Sequence, residues 1–369
     1  MKAVVLSDLH LGATAGTATD DAFVSFLVWL VERAHPETGP WRLVVLGDLL
    51  DLLHPPAGAH DPRAALDAVA VRHRPALAAL GAAAAHGIVV DLIPGNHDSE
   101  LLDPAVQERL RVIVADAAGT SAALLRPKFR VRPWFLLVPE LLYAEHGSQY
   151  HALNAVAEPL VPFGRWSPRL PPGAVLDLCG QAEHGGRARA LSGLVPAMLR
   201  AHARRGRRDV ATAAAREALA QEAGLSPDAL AGLRGLAEDS SVALLRNAGA
   251  AVLGRRGYVE LRQQQAAVAV HKILAREGQA VPVYIFGHTH RVGQRALDAG
   301  GARLLWFNAG AWADGSYGFV EVDGRVDGVV ARLCHWDPGT GTATRETQRR
   351  QHVGPPGGDP VSVCPGCSG

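Results

Sequence analysis

The chain is poor in cysteine and in net charge, and each shortage excludes a class of protein. Four cysteines in 369 residues do not make a disulfide framework. The formal net charge is +1, so no overall field marks the protein as a partner of nucleic acid or of membrane surfaces. Hydrophobic residues make up 48% of the chain, which is enough to bury a full core and more than one structural unit. A globular protein is expected.

Long apolar runs are also missing. No uninterrupted hydrophobic stretch is long enough to span a bilayer, so no transmembrane segment is expected. Met1-Lys2 leads directly into a predicted strand, which leaves no space for a signal peptide. These absences predict a soluble protein of the cytoplasm.

The chain does contain five short polar motifs in one order. They are Asp8-Leu9-His10, Gly47-Asp48-Leu49-Leu50-Asp51, Gly95-Asn96-His97-Asp98, His146-Gly147 and Gly287-His288-Thr289-His290. Four of them follow apolar runs that are typical of buried strands. Alternate residues of a strand point to the same face, so Asp8 and His10 can reach one cation together. The motifs supply oxygen and nitrogen ligands for a two-metal centre at the ends of core strands, where α/β proteins build their sites.

The pattern of strands and helices predicts an α/β fold. Strand and helix alternate as far as the third motif, which is typical of parallel β-α-β units. One predicted helix is capped by Asp20 or Asp21, and another runs from Pro62 to about His86. Short strands follow one another from about Arg130 and again from Arg303, separated by Gly-rich and Asp-Gly turns. We therefore expect two packed mixed β-sheets flanked by α-helices.

A long helical insertion separates the fourth motif from the fifth. Residues 151–279 are rich in Ala, Leu and Arg, and they interrupt a predicted catalytic core made of residues 1–150 and 280–336. The insertion leaves the core just after His146 and returns just before His288, so we expect it beside the site as a lid or substrate-selecting cap. A stabilising appendage far from the substrate is the alternative.

The C-terminal tail, residues 337–369, has little apolar periodicity and is expected to be disordered. Cys364 and Cys367, together with His352, offer two thiolates and one imidazole to a zinc ion. That set falls short of a closed structural site, so flexible free thiols are the favoured interpretation.

Taken in order, the motifs resemble those of the calcineurin-like metallophosphoesterases. The pattern is Asp-x-His, Gly-Asp-x-x-Asp, Gly-Asn-His-Asp, a later His-Gly, and Gly-His-x-His. Each motif alone occurs often by chance, but five in order at strand ends form a specific signature. The resemblance covers about the first 150 residues and the stretch from about 280 to 335. It implies a four-layer αββα sandwich into which the helical cap is inserted.

The resemblance implies seven metal ligands. Asp8, His10 and His290 would hold one metal, Asn96, His146 and His288 the other, and Asp48 would bridge both. Carboxylates hold hard divalent cations and imidazoles suit Mn, Fe, Zn, Co or Ni, so two divalent ions of this group are expected, with Mn the first choice. The remaining histidines are interpreted as surface or hydrogen-bonded residues, among them His54, His60, His86, His202 and His271.

The resemblance also implies a hydrolase of phosphoester bonds. Two cations about 3.5 to 4 Å apart can bind a bridging hydroxide for in-line attack on phosphorus and can neutralise the phosphoryl oxygens. His97, next to the ligand Asn96, is then placed to protonate the leaving oxygen as general acid. By resemblance Asp51 orients His97, with Asp98 as its rival, and a helix cap is the alternative role of Asp51.

The expected substrate is a small-molecule phosphomonoester, a phosphodiester or the pyrophosphate of a nucleotide conjugate. Tyr150, His151 and Asn154 lie just past His146, where the insertion leaves the core, and are predicted substrate contacts. The insertion loosely resembles that of the UDP-2,3-diacylglucosamine hydrolase branch, but that branch typically has Arg where this chain has His97.

Three alternative functions found among the calcineurin-like metallophosphoesterases can be compared with the motifs. Leu52-Leu53 stand where the Ser/Thr phosphatase branch continues into Arg-Gly, which argues against a protein phosphatase. A metal-dependent nuclease shares the motifs, but the long insertion and the neutral net charge count against a nucleic-acid partner. A metal-binding scaffold without catalysis typically lacks a ligand or the general acid, and all of these residues are present here.

Overall fold

The protein is described from a computed structural model, which describes residues 1–12, 16–34, 39–151, 153–156, 158–167, 170–171, 173–174, 210–246 and 256–351. Over these residues it is an α/β protein with two mixed β-sheets and eight α-helices. The strands are β1 (Lys2–Leu6), β2 (Trp41–Leu46), β3 (Val89–Ile93), β4 (Phe129–Val131), β5 (Phe135–Val138), β6 (Leu142–Glu145), β7 (Val283–Phe286), β8 (Val292–Asp298), β9 (Arg303–Ala309), β10 (Gly318–Arg325), β11 (Gly328–Asp337) and β12 (Thr342–Gln351). The helices are α1 (Thr17–Arg33), α2 (Pro62–Arg72), α3 (Arg74–Ala85), α4 (Pro104–Ala117), α5 (Ala122–Leu125), α6 (Val210–Ala223), α7 (Pro227–Arg246) and α8 (Arg256–Arg276).

The first sheet has seven strands in the order β12-β11-β10-β1-β2-β3-β4. Strands β1 to β4 are parallel neighbours, which confirms the predicted β-α-β units, and the other three pair antiparallel. The second sheet has five strands in the order β5-β6-β7-β9-β8, with parallel pairs β6/β7 and β7/β9 at its centre. Strands β1, β2 and β3 of the first sheet and β6 and β7 of the second lead directly into the predicted motifs.

Three clusters of buried apolar residues lie between the successive layers of the fold. One joins the facing sides of the two sheets and includes Val5, Val44, Leu142 and Phe307. A second lies between the first sheet and helices α1 to α4, and a third between the second sheet and helices α6 to α8. The chain therefore stacks as helices, sheet, sheet and helices, which confirms the expected fold class.

The described helices of the insertion form the outer layer on the second sheet. Leu230 of α7 and Val270 of α8 pack in the same cluster as Tyr284 and Trp306 of that sheet. Helix α7 begins at Pro227, and the Ser226 hydroxyl accepts a hydrogen bond from the Ala229 amide. Other parts of the insertion, including residues 175–209, lie outside the described residues. The predicted cap therefore stays a prediction.

The expectation of a disordered tail is wrong for residues 342–351. They form β12, which pairs antiparallel with β11 along its whole length. Its side chains are mostly polar because it is the edge strand of the sheet, and backbone pairing with a buried neighbour stabilises it without an apolar pattern of its own. The possible zinc residues His352, Cys364 and Cys367 lie outside the described part of the chain.

The predicted helix from Pro62 to His86 is two helices, α2 and α3, that meet at His73. Pro75 has no backbone N–H, so a continuous helix would lose a hydrogen bond here, and the proline instead occupies the first turn of α3. Helix α4 and strand β8 were not predicted at all. Helix α1 begins at Thr17 after Gly16, so neither Asp20 nor Asp21 caps it.

His73 ties this helix junction to the first motif. Its Nδ1 lies 2.9 Å from the Asp20 carboxylate and its Nε2 lies 2.9 Å from the carbonyl oxygen of Gly12, two residues beyond His10. Burial opposes the charge, but the bonds to Asp20 and to Gly12 raise the pKa of His73. Both ring nitrogens donate only when the ring is protonated, so the charged form holds both partners.

We expect the stabilisation by His73 to depend on pH. A raised pKa in the folded state means that the stabilisation is complete below the unfolded pKa of about 6.5 and is lost as pH rises through the folded pKa. His73→Gln should lower the free energy of unfolding by about 1.5–3 kcal/mol at pH 5.5 and by less at pH 9. Urea denaturation at both pH values measures the difference. The exposed His86, at the end of α3, supplies the control variant His86→Gln, and an equal loss for His73→Gln at both pH values would contradict the expectation.

None of the described helices combines the length and the apolar character that a bilayer crossing requires.

Candidate metal centre

The loops that follow the parallel strands are tied to one another by backbone hydrogen bonds. The Asp8 amide donates to the carbonyl of Gly47, and the His10 amide donates to the carbonyl of Asp48. From the second sheet, the Gly287 amide donates to the carbonyl of His146. The His97 amide of the third motif donates to the Asp48 carboxylate, and the His288 amide donates to the Asp8 carboxylate, so all five motifs meet at one edge of the two sheets.

The backbone is strained where the motifs meet. Among the described residues, seven that are not glycine have a positive φ angle, and five of these are predicted ligands. The five are Asp8, His10, Asp48, His288 and His290. A left-handed conformation costs such residues roughly 1–2 kcal/mol each. Strain of this kind persists where surrounding structure enforces it, and it gathers at functional sites.

The first ligand group, Asp8, His10 and His290, is brought together as predicted. The Nε2 atoms of His10 and His290 lie 3.2 Å apart, and Asp8 Oδ1 lies 3.8 Å and 3.3 Å from them. Donor atoms bonded to one cation at about 2.1 Å lie roughly 3.0–4.2 Å from each other, depending on the angle at the cation, so these distances fit a shared ion. Asp8 Oδ1 is buried and makes no hydrogen bond within the described structure, as expected of an atom that faces a cation.

Asp48 lies between the first group and two members of the second predicted group, Asn96 and His146; the ring of the third member, His288, lies 5.2 Å from that of His146, centre to centre. Its Oδ2 atom is 3.7 Å from His10 Nε2 and 3.3 Å from His146 Nε2, while its Oδ1 atom accepts a hydrogen bond from the His97 amide. The Oδ1 atom of Asn96 lies 3.2 Å from His146 Nε2. The carboxylate of Asp48 therefore touches both groups, which is the position that a bridging ligand needs.

Contacts outside the two groups orient two of the imidazoles. His146 Nδ1 donates to the carbonyl of Leu46 at 2.9 Å, and His290 Nδ1 lies 3.0 Å from Asp314 Oδ2. Each contact places a proton on Nδ1 and leaves the Nε2 lone pair facing the ligand groups. Such outer contacts are typical of histidines that bind metal. Asp314 was not predicted, because it is separated from His290 by more than twenty residues and its single carboxylate carries no motif.

Buried carboxylates make the centre attractive to positive charge. Burial alone would lower the pKa of His146, but Asp48 and Asp8 raise it to about 10. Burial also opposes charge on His290, whose pKa Asp8 raises to about 9. Burial would raise the pKa of Asp8, yet His146, His10 and His290 hold it well below its usual range. The protein thus keeps ionised carboxylates inside, together with groups that compensate their charge.

His97 is held by Asp51. The two residues are joined by Nδ1 and Oδ1 at 3.1 Å, so the Nε2 atom of His97 lies on the opposite side of its ring. Burial lowers the pKa of His97, but Asp48 and Asp51 outweigh this and raise it. Asp98 does not contact His97 here. It is fully buried and accepts hydrogen bonds from the amides of Gly95 and Leu50.

His54 also binds Asp51, which sequence reasoning missed. Its Nδ1 lies 3.0 Å from Asp51 Oδ2, and its ring centre is 5.7 Å from that of His97. The sequence did offer a signal for this contact. In Asp51-Leu52-Leu53-His54 the carboxylate can form a hydrogen bond with the imidazole three positions later. The Asp51 carboxylate therefore serves two imidazoles.

The three predicted substrate contacts lie in different surroundings. Tyr150 is buried and packs against Phe286. His151 and Asn154 lie beside His288, and His151 lines a cleft of about 200 Å³ together with Val259, His288, Thr289 and His290. Val259 belongs to α8, so this helix of the insertion begins next to the centre.

Two positions in the motifs must be glycine because neighbouring side chains lie too close to leave room for a Cβ atom. A methyl group on Gly95 would overlap the carboxylate of Asp48, and one on Gly47 would overlap the ring of His146. Gly47 also has a φ of 82°, which favours glycine. The motif glycines thus allow the ligand loops to lie against each other.

No protein-family model matches the sequence, and no curated protein is similar enough to be identified as a relative. The chemistry must therefore be argued from the centre itself.

Proposed function

We propose that the protein is a hydrolase of phosphoester bonds that uses two divalent cations. The observation that carries this proposal is the position of Asp48, whose carboxylate oxygen lies within 3.3–3.7 Å of histidines from both ligand groups. Two sets of oxygen and nitrogen donors that share one carboxylate are typical of dinuclear centres.

The residues fit two cations of the kind that imidazoles and carboxylates bind together. Asp8, His10 and His290 would hold one, Asn96, His146 and His288 the other, and Asp48 both. When bound, two such cations lower the pKa of water and neutralise the phosphoryl oxygens. Mn²⁺ is the first choice for reconstitution because it accepts both donor types.

His97 would then supply the proton for the leaving oxygen. Its Nδ1 is held by Asp51, which leaves Nε2 as the donating atom. The ring centre of His97 lies 4.6 Å from that of His10, so the donor stands directly beside the first ligand group. Asp51 orients the ring and compensates its charge in this proposal.

The substrate class is a small-molecule phosphomonoester, phosphodiester or nucleotide-conjugate pyrophosphate. The cleft at His151, Val259 and Thr289 opens beside His288 and His290, which belong to the two ligand groups. Its size of about 200 Å³ suits the phosphoryl end of a small substrate better than a duplex.

The proposal is tested by stripping the protein of metal and assaying it with p-nitrophenyl phosphate and bis-p-nitrophenyl phosphate. Hydrolysis should be absent after chelation and should return on addition of Mn²⁺, with two equivalents bound in elemental analysis. Inactivity towards both esters and towards nucleotide-diphosphate sugars, with two metals demonstrably bound, would instead support a scaffold without catalysis.

A further inference from the structure

His288 differs from the other ligand histidines in the nitrogen that faces outwards. Its Nε2 atom lies 2.9 Å from His151 Nδ1 and 3.3 Å from the side-chain amide of Asn154. In His146 and His290 the outer contact is made by Nδ1 instead. The centre therefore cannot take Nε2 of His288 without breaking the contact with His151.

Two ring nitrogens 2.9 Å apart need one hydrogen between them, because two lone pairs at this distance repel each other. If His151 were the donor, His288 would accept through Nε2 and carry its own proton on Nδ1, so neither nitrogen could bind a metal. If His288 is the donor, its Nε2 carries the proton and its Nδ1 keeps a lone pair. Only the second arrangement is compatible with His288 as a ligand.

We propose that His151 and Asn154 are positioning residues that hold His288 in the tautomer with a free Nδ1, and so complete the second cation site. This inference rests on the proposed function. His151 Nδ1 accepts the proton of His288 Nε2. The Asn154 side-chain amide, a donor, lies 3.2 Å from His151 Nδ1, so it favours the state in which that nitrogen accepts; it also lies 3.3 Å from His288 Nε2 but cannot donate to it once that nitrogen carries the proton.

Backbone hydrogen bonds hold His151 and Asn154 in place. The His151 amide donates to the carbonyl of Ser148, and the amides of Asn154 and Ala155 both donate to the carbonyl of His151. This turn directly follows His146, so one short segment supplies a ligand of the second group and the support of another. The side chain of Asn154 is nearly buried, which suits a structural contact better than a substrate contact.

Metal affinity and KM distinguish a positioning role of His151 and Asn154 from their predicted role as substrate contacts. A positioning residue changes the affinity for the second cation and leaves KM unaltered at saturating metal. A substrate contact raises KM and leaves both metal affinities unaltered. Outer partners of metal-bound histidines typically contribute about 10- to 100-fold to metal affinity.

The test is a calorimetric titration of the metal-stripped full chain with Mn²⁺. His151→Ala should weaken the second binding event by about 10- to 100-fold and leave the first within about twofold. His151→Gln, which retains an acceptor, should recover most of the affinity. Asn154→Ala should show a smaller loss in the same event. The exposed His60 supplies the control variant His60→Ala, which should match the wild type.

Two outcomes would overturn the inference. One is a His151→Ala protein that binds both cations with wild-type affinity, whatever its KM. The other outcome also applies if His151→Ala does not fold. In it, Asn154→Ala binds both cations with wild-type affinity, and His151→Gln binds the second cation about 10- to 100-fold more weakly than the wild type. Wild-type protein that binds fewer than two Mn²⁺ ions would contradict the proposed function instead, so the two failures are distinguishable.

Discussion

Replacing Asp48 with asparagine is expected to remove both cations and to lower turnover by at least about 1,000-fold. The lost carboxylate charge serves both ligand groups, since Oδ2 lies near His10 and near His146. Cations contribute several kcal/mol of charge stabilisation to such reactions, and each 1.36 kcal/mol corresponds to a factor of ten in rate. Asparagine tolerates the positive φ of this position, so the loop itself should persist.

Elemental analysis and the p-nitrophenyl phosphate assay measure this effect. Asp8→Asn is the informative comparison, because Asp8 Oδ1 lies 3.8 Å and 3.3 Å from the Nε2 atoms of His10 and His290, so its loss should weaken the first cation more than the second. Asp91→Asn is the matched control, since Asp91 is equally buried but pairs with Arg42 and Arg132 away from the motifs. That variant should lose stability and retain two metals. An Asp48→Asn protein that retains two metals would refute the bridging role.

His97→Ala should lower kcat by about 100- to 10,000-fold for substrates with poor leaving groups. The leaving oxygen of an alkyl or phenyl ester needs a proton, whereas p-nitrophenolate leaves readily without one. The loss should therefore be much smaller for p-nitrophenyl phosphate than for phenyl phosphate. A comparison of kcat for the two esters measures the difference.

Metal content separates this role from that of a ligand. His97→Ala should bind two cations like the wild type, because the His97 ring is held by Asp51 and the hydrogen bond to Asp48 comes from the His97 backbone amide, which the substitution retains. His86→Ala, at an exposed position, should leave both rates and both metals unchanged. If His97→Ala loses a metal, or loses the same factor with both esters, the assignment of His97 as proton donor is wrong.

Much of the fold could be predicted because its signals are local. The apolar runs of β1, β2, β3 and β7 and the helical patterns between them are readable from neighbouring residues. One error arose because the decisive partner is not recorded in the segment itself: strand β12 forms because β11 offers it an edge. The other was local, since the predicted helix at Pro62 divides where Pro75 interrupts its hydrogen bonds.

The residues of the candidate site can be divided in the same way, into those that the sequence indicates and those that only the folded chain shows. The ligand types and their order were evident in the motifs, whose glycines and strand-end positions are encoded within a few residues. Asp314, His54 and the role of His151 were not evident from the motifs. Each of these residues forms a side-chain contact with a histidine or a carboxylate of the site, and the contact exists only in the folded chain.

The sequence by itself determined which donor atoms are present, because each motif follows its own strand and carries its own ligands. Only the tertiary structure decided which donor atoms lie together, since Asp8 and His290 are separated by most of the chain and meet only when the two sheets pack face to face. It also decided which ring nitrogen of His146, His290 and His288 has a partner in the surrounding loops, namely Leu46, Asp314 or His151. Chemistry of this kind depends on hydrogen bonds between distant loops, and no local pattern records them.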